Sequence, residues 1–234
     1  MQKLARGLRY STIVEALDFS RAKLSLNSYQ TLSLLLRQCQ SLRLVDLSET
    51  LLPQSAMQLV CSSIEHVTYI HTLDLSSNKL GIESAYAIAH MLKTSTTMKT
   101  LYLSNNMLGP GGMLALRDSL IVNRGLTVLD VENNSIGDAG AQALADALRK
   151  NRELEELNLR YNQIEQAGCR ALAQALEGNK GLRRLNLDSN SLGLEGAAAM
   201  AEMLTINSSL TRLVLSGNRI GPNGCGHIGQ ALQH

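Results

Sequence analysis

The sequence predicts an α/β solenoid, a stack of strand–turn–helix units, and three observations carry that prediction. The stretch LDLSSNKLG (Leu73–Gly81) returns as LYLSNNMLG, LDVENNSIG, LNLRYNQIE, LNLDSNSLG and LVLSGNRIG. The first apolar residue of each L-x-x-L-x-L-x-x-N-x-L unit falls at Val14, Leu42, Ile70, Met98, Leu126, Leu154, Leu182 and Leu210, a constant step of 28 residues without insertion or deletion. Within each unit the apolar period is two in the first half and that of a helix in the second. The register predicts a single domain over residues 1–234: a partial unit at 1–13, then eight repeats starting at 14, 42, 70, 98, 126, 154, 182 and 210, the last incomplete.

Each element follows from its residues. In Leu126–Ile136, Leu129 and Val131 alternate with Asp130, as a short half-buried strand requires. Gly137-Asp138-Ala139-Gly140 supplies a turn and a helix-starting Asp. AQALADAL then places Ala141, Leu144, Ala145 and Leu148 on one helical stripe. A lone unit has two open faces, and its aliphatic burial falls short of the entropy of ordering the chain. Stacking closes those faces and pairs each strand with the next in a parallel sheet.

Asn78, Asn106, Asn134, Asn162, Asn190 and Asn218 stand where the chain leaves the strand and turns inward. A carboxamide offers donor and acceptor together, so it can satisfy backbone groups there that no ladder bond reaches. The first two units carry Ala22 and Thr50 at this position and lack the Gly of Gly81, Gly109, Gly137, Gly193 and Gly221, as expected of terminal repeats. The chain enters on the helix half of a unit, with Met1 in register with Tyr29, Met57 and Ala85. It ends on GCGHIGQALQH, a helix with no obvious polar cap, so the expectation is either a piece of a longer chain or a neighbour covering that face.

Composition excludes several function classes. A formal charge of +2, one Phe, six Tyr and no Trp argue against nucleic acid, and no apolar run suits a membrane span. Four cysteines without Cys-x-x-Cys spacing, and no signal peptide in MQKLARGLRYST, predict a cytoplasmic setting, with nuclear or cytoskeletal association open. Cys169 and Cys225 share a register and read as small core residues, and the sequon at Asn207-Ser208-Ser209 reads as chance.

The nucleotide-binding pattern G-x-G-x-x-G occurs at Gly224–Gly229, but Gly224 shares its register with Gly112, Gly140, Gly168 and Gly196, so the repeat accounts for it. Cys225 and His227 are two apart on a helix and point away from each other. His66, His71, His90, His227 and His234 fall in unrelated registers. No catalytic constellation, metal site or cofactor is predicted.

The G-x-x-G-A-x-x-L-A-x-A-L helix, seen in GDAGAQALADALRKN (Gly137–Asn151) and GLEGAAAMAEMLTIN (Gly193–Asn207), resembles that of ribonuclease-inhibitor-type leucine-rich repeats. The resemblance covers nearly the whole chain. It implies a curved horseshoe with strands lining the concave side and helices on the convex side. The expected function is that of a non-enzymatic scaffold or adaptor gripping a protein partner. A regulator of an enzyme (a GTPase-activating or inhibitor protein) and the sensing segment of a larger receptor are the alternatives.

On such a fold the non-leucine strand positions face the concave surface. The central column reads Asp18, Asp46, Asp74, Tyr102, Asp130, Asn158, Asn186 and Val214. Acids gather toward its first half, with Asp18, Asp46, Asp74, Asp130 and Glu132 among them. Arg160, Arg183, Arg184, Arg212 and Arg219 gather toward its end. A groove of two polarities orients a partner and speeds its encounter. Tyr102 and Tyr161, with the neighbouring arginines, are the expected hot region.

Overall fold

The computed structural model describes residues 2–233. In chain order the elements are α1 (Gln2–Leu8), β1 (Ala16–Asp18), α2 (Leu26–Gln38), β2 (Leu44–Asp46), α3 (Gln54–Ile64), β3 (Thr72–Asp74), α4 (Ile82–Thr94) and β4 (Thr100–Tyr102). They continue as α5 (Gly109–Val122), β5 (Val128–Asp130), α6 (Gly137–Leu148), β6 (Glu156–Asn158), α7 (Gln166–Glu177), β7 (Arg184–Asn186), α8 (Gly193–Ile206), β8 (Arg212–Val214) and α9 (Gly221–Ala231). Met1 and His234 lie outside the described residues, so the register read for Met1 and the position of His234 stay with the sequence.

All eight strands form one parallel sheet in sequence order. Its register is the sequence period itself: Asp46 pairs with Asp74, Asp74 with Tyr102, Tyr102 with Asp130, each partner 28 residues on. The middle residue of each strand from Leu17 to Leu185 is buried and its two neighbours are more exposed, the alternation of a sheet with one covered face. Helices pack on that covered face. The core runs the length of the stack as one aliphatic column, in which Val45, Leu73, Leu101, Leu129 and Leu157 meet the helix stripe that includes Leu32, Ile88, Leu116, Leu144 and Leu172.

The recurrent asparagines bind each unit to the one before it. Asn78 Nδ2 donates to Leu47 O at 2.8 Å in the preceding unit and to Leu75 O at 3.0 Å in its own. Its Oδ1 accepts the N–H groups of Thr50 and Leu52, both at 3.0 Å. Asn106 and Asn190 repeat the pattern, Asn162 keeps the link to the preceding unit through Val131 O and the Asn134 N–H, and Asn134 is fully buried.

A second ladder runs along the other edge of the stack, and the sequence reading missed it. Asn123, Asn151, Asn179 and Asn207 follow their helices. Asn151 Nδ2 donates to Leu120 O at 2.7 Å, while its Oδ1 accepts from Glu153 and Leu154, both at 2.9 Å. Four asparagines at a 28-residue spacing were the available signal. In the earlier units hydroxyls do this work singly: Ser41 donates to Val14 O at 2.7 Å, and Tyr69 to Leu36 O at 2.7 Å.

Three details differ from the sequence reading. Helix α6 is capped by Ile136, and Asp138 lies in its first turn. Its Oδ1 accepts the Glu165 N–H at 2.7 Å, so it fastens the next unit's loop and does not cap its own helix. Cys225 is exposed, whereas Cys169 in the same register is buried with its thiol 3.4 Å from Gly196 O. Cover for Cys169 comes from Gly196 in the following unit. Asn207 uses its amide on Leu176 O at 2.6 Å and Asn179 O at 3.1 Å, so a glycan there would break both bonds.

Candidate functional site

The uncovered face of the sheet is built from three adjacent columns: the first strand residue, the third, and the residue two beyond the third. The middle column carries a structural duty that the sequence reading did not foresee. Asp18, Asp46, Asp74 and Asp130 each accept the N–H of the residue two positions on, all at 2.8 Å. Asn158 and Asn186 do the same at 3.2 and 3.0 Å. A side-chain oxygen at this place closes the turn that ends the strand. Tyr102 and Val214 break the rule, the one presenting a ring and the other two methyls.

Electrostatics modify the expected two-ended groove. Arg160 lies between Glu132 and Asp188, with Nη1 3.6 Å from Glu132 Oε1 and Nε 2.7 Å from Asp188 Oδ2. Arg184 is paired with Glu156, which holds its guanidinium even more firmly charged. Two of the five arginines expected to make the basic end, Arg160 and Arg184, are therefore neutralised within the sheet. Arg212 has no carboxylate in ion-pair reach among the described residues. Arg183 and Arg219 are exposed and likewise outside ion-pair reach of a carboxylate among the described residues.

In the acidic half Glu132 is compensated by Arg160, while Asp46, Asp74 and Asp130 have no cation in ion-pair reach among the described residues. Burial raises the Asp74 carboxyl above its ordinary range, against the pull of its hydrogen bonds to Ser76, and Asp46 and Asp130 raise it further. Tyr102 stands between Asp74 and Asp130 in the register. Burial raises its phenol, and the charges of Asp74, Asp130 and Glu156 add to the shift. Asn158 bridges Asp130 and Glu132, donating at 3.1 and 3.0 Å. Asp18, at the exposed start of the column, is lowered by its hydrogen bonds to Ser20.

A hollow of about 290 Å³ occupies the groove from Tyr102 to Arg212 and Val214, with Val128, Asn158 and Asn186 along it. It brings together Tyr102, Asp130, Asn158, Arg184 and Arg212 of the expected set. Asp18 and Asp46 lie along the sheet beyond β3, and Glu132 and Arg160 in the column beside it. The structure separates the two tyrosines. Tyr161 is in left-handed backbone (φ 54°) beyond the end of β6, 47% exposed, and lines a different hollow with Asn133, Gln163 and Ser191. Its ring is covered by the Arg160 guanidinium at 4.5 Å, so it belongs to the rim.

Two histidines that share no register meet on the helical side, where His66 and His90 contact the two oxygens of Glu65 at 3.2 and 3.0 Å. Among the described residues no three histidine, cysteine or acidic side chains are grouped to hold a metal ion, and no helix is long and apolar enough to cross a membrane.

The model of a leucine-rich repeat matches six segments, residues 66–89, 94–116, 122–145, 150–173, 178–201 and 207–228. The chain belongs to the leucine-rich repeat family. Each matched segment spans a strand and most of the helix after it, so the leucine-rich repeat unit coincides with the structural one. No curated protein matches the chain in sequence. Among solved structures, leiomodin-1 actin-binding site 2 is similar with a TM-score of 0.53 at 18% identity, covering 74% of this chain and 86% of that one. The tropomodulin C-terminal domain of Caenorhabditis elegans is similar with a TM-score of 0.50 at 14% identity, covering 75% and 90%. At such identities the likeness is one of leucine-rich repeat fold.

Proposed function

We propose that this chain is a non-enzymatic platform that binds another protein on its concave sheet. The observation that supports it most is the contrast between the two faces of one rigid sheet. One is sealed by nine described helices; the other is bare and carries Tyr102, the carboxylates of Asp46, Asp74 and Asp130 and the unpaired Arg212 at fixed spacing. Preset spacing lowers the ordering cost of association, which suits recognition. A half-buried tyrosine beside a hollow is the kind of anchor that dominates interface energetics.

Affinity capture with the wild-type chain and a Tyr102→Ala, Arg212→Glu variant, each read by mass spectrometry, tests this reading. Loss of a specific partner from the variant, with its unfolding midpoint unchanged, is the expected result. Retention of every partner would remove the concave face from consideration. Actin is the first purified protein to mix with the chain, because a fold like this one is found in an actin-binding segment of leiomodin-1.

A further inference from the structure

The repeats supply an internal comparison that shows where the concave face departs from structural need. Closing the strand-end turn requires a side-chain oxygen, and Asn158 and Asn186 provide it without charge. In the first half of the sheet the same duty falls to carboxylates, Asp46, Asp74 and Asp130, whose mutual repulsion a carboxamide would remove. Tyr102 and Val214 abandon the duty altogether. These two exceptions mark the two ends of the hollow. Acid in place of amide at one end, and Arg212, the unpaired arginine that lines the hollow, at the other, set opposite charges across the groove.

Four inter-strand steps separate β4 from β8, about 19 Å at the usual strand spacing. An extended chain covers that distance in about six residues. On the reading of this face as a protein-binding platform, we propose that its occupant is an extended protein segment lying across β4–β8. A lysine or arginine of that segment sits against Tyr102 between Asp74 and Asp130. A carboxylate about six residues away sits on Arg212. Small apolar side chains between them meet Val128 and Val214. A cation over the tyrosine ring gains from the ring as well as from the two acids, and its arrival relieves the crowding of charge that burial imposes on Asp74. Nucleic acid is disfavoured, because its phosphates would face these carboxylates.

The test uses two fluorescent seven-residue peptides of identical composition, read by anisotropy on the full chain. One carries Lys first and Glu last, with Thr and Val between; the other carries Lys and Glu side by side at its centre. The spaced peptide is expected to bind about threefold to fivefold tighter, the free energy of the second partly exposed ion pair that the adjacent arrangement cannot reach. Asp74→Asn keeps the turn-closing oxygen and so folds, yet weakens the spaced peptide several-fold. Arg212→Glu abolishes the preference and transfers it to a peptide ending in Lys, a swap that no loss of folding imitates. Equal binding of the two peptides, or an Arg212→Glu chain that binds as wild type, overturns the proposal. If that happens while a captured partner still depends on Tyr102, the segment is wrong and the platform stands. If no partner depends on Tyr102 or Arg212, both fall.

Discussion

Asn134 is fully buried, and its carboxamide serves four backbone groups: the carbonyls of Leu103, Val131 and Glu132, and the N–H of Leu108. Asn134→Ala orphans the Leu108 N–H and takes one of two hydrogen bonds from each of the three carbonyls, which keep Asn106, Asn162 and the Asn105 N–H. It should cost about 3 kcal/mol and lower the urea midpoint by about 1 M. An unchanged midpoint would mean the ladder is decorative. Asp74 predicts the opposite sign. Its folded carboxyl is raised, so between the ordinary carboxylate range and that raised value the native state holds more protons than the unfolded one. Stability from this group therefore falls as pH rises through the raised value. Asp74→Asn should raise the urea midpoint at pH 7, and the gain should vanish at pH below the ordinary carboxylate range. Matched melts at the two pH values decide it.

At the scale of elements, the helices pack through small residues set one unit apart. A Cβ on Gly196 would lie 2.8 Å from the Leu192 Cβ and 3.3 Å from the Cys169 sulfur, between α7 and α8. Gly226 of α9 has nothing within 4 Å. Gly196→Ala should therefore destabilise by about 1–3 kcal/mol through overpacking. Gly226→Ala should stabilise by about 0.5–1 kcal/mol, the ordinary helix preference. Thermal melts of the pair separate packing from propensity. The strands and helices were legible in the sequence because their periods differ and recur. The cap of α6 was not, because Asp138 reads as a helix starter until the neighbouring loop that takes its hydrogen bond is in view. The exposure of Cys225 was not legible either, since a register tells which residue aligns with which and not how far each is covered.

Over the whole molecule, the same division holds for the candidate site. The concave column could be read residue by residue from the 28-residue step, and Tyr102 with it. The charge balance could not, since Arg160 and Arg184 are neutralised by acids on neighbouring strands, 28 residues off in sequence and adjacent in space. Tyr161 was placed beside Tyr102 by its proximity to the strand, but the left-handed turn carries it to the rim. The ladders give a last whole-molecule prediction. Ala22 and Thr50 hold the first two places of one, and Cys39, Val67 and Ser95 the first three of the other. In a stack whose stability is a sum over units and their junctions, amides of β1–β3 should exchange with deuterium well before those of β5–β7. Uniform protection along the sheet would contradict this.

Two rows of carboxamides, one along each margin of the stack, act as seams on both sides of a folded cloth. Where both seams are complete, a unit cannot peel away without releasing its neighbour along two lines at once, so under tension β5–β7 should give way together as a single block. The stitching thins toward residue 1, and there the units can part singly. A partner that grips the acidic half of the groove would hold the end that tears first.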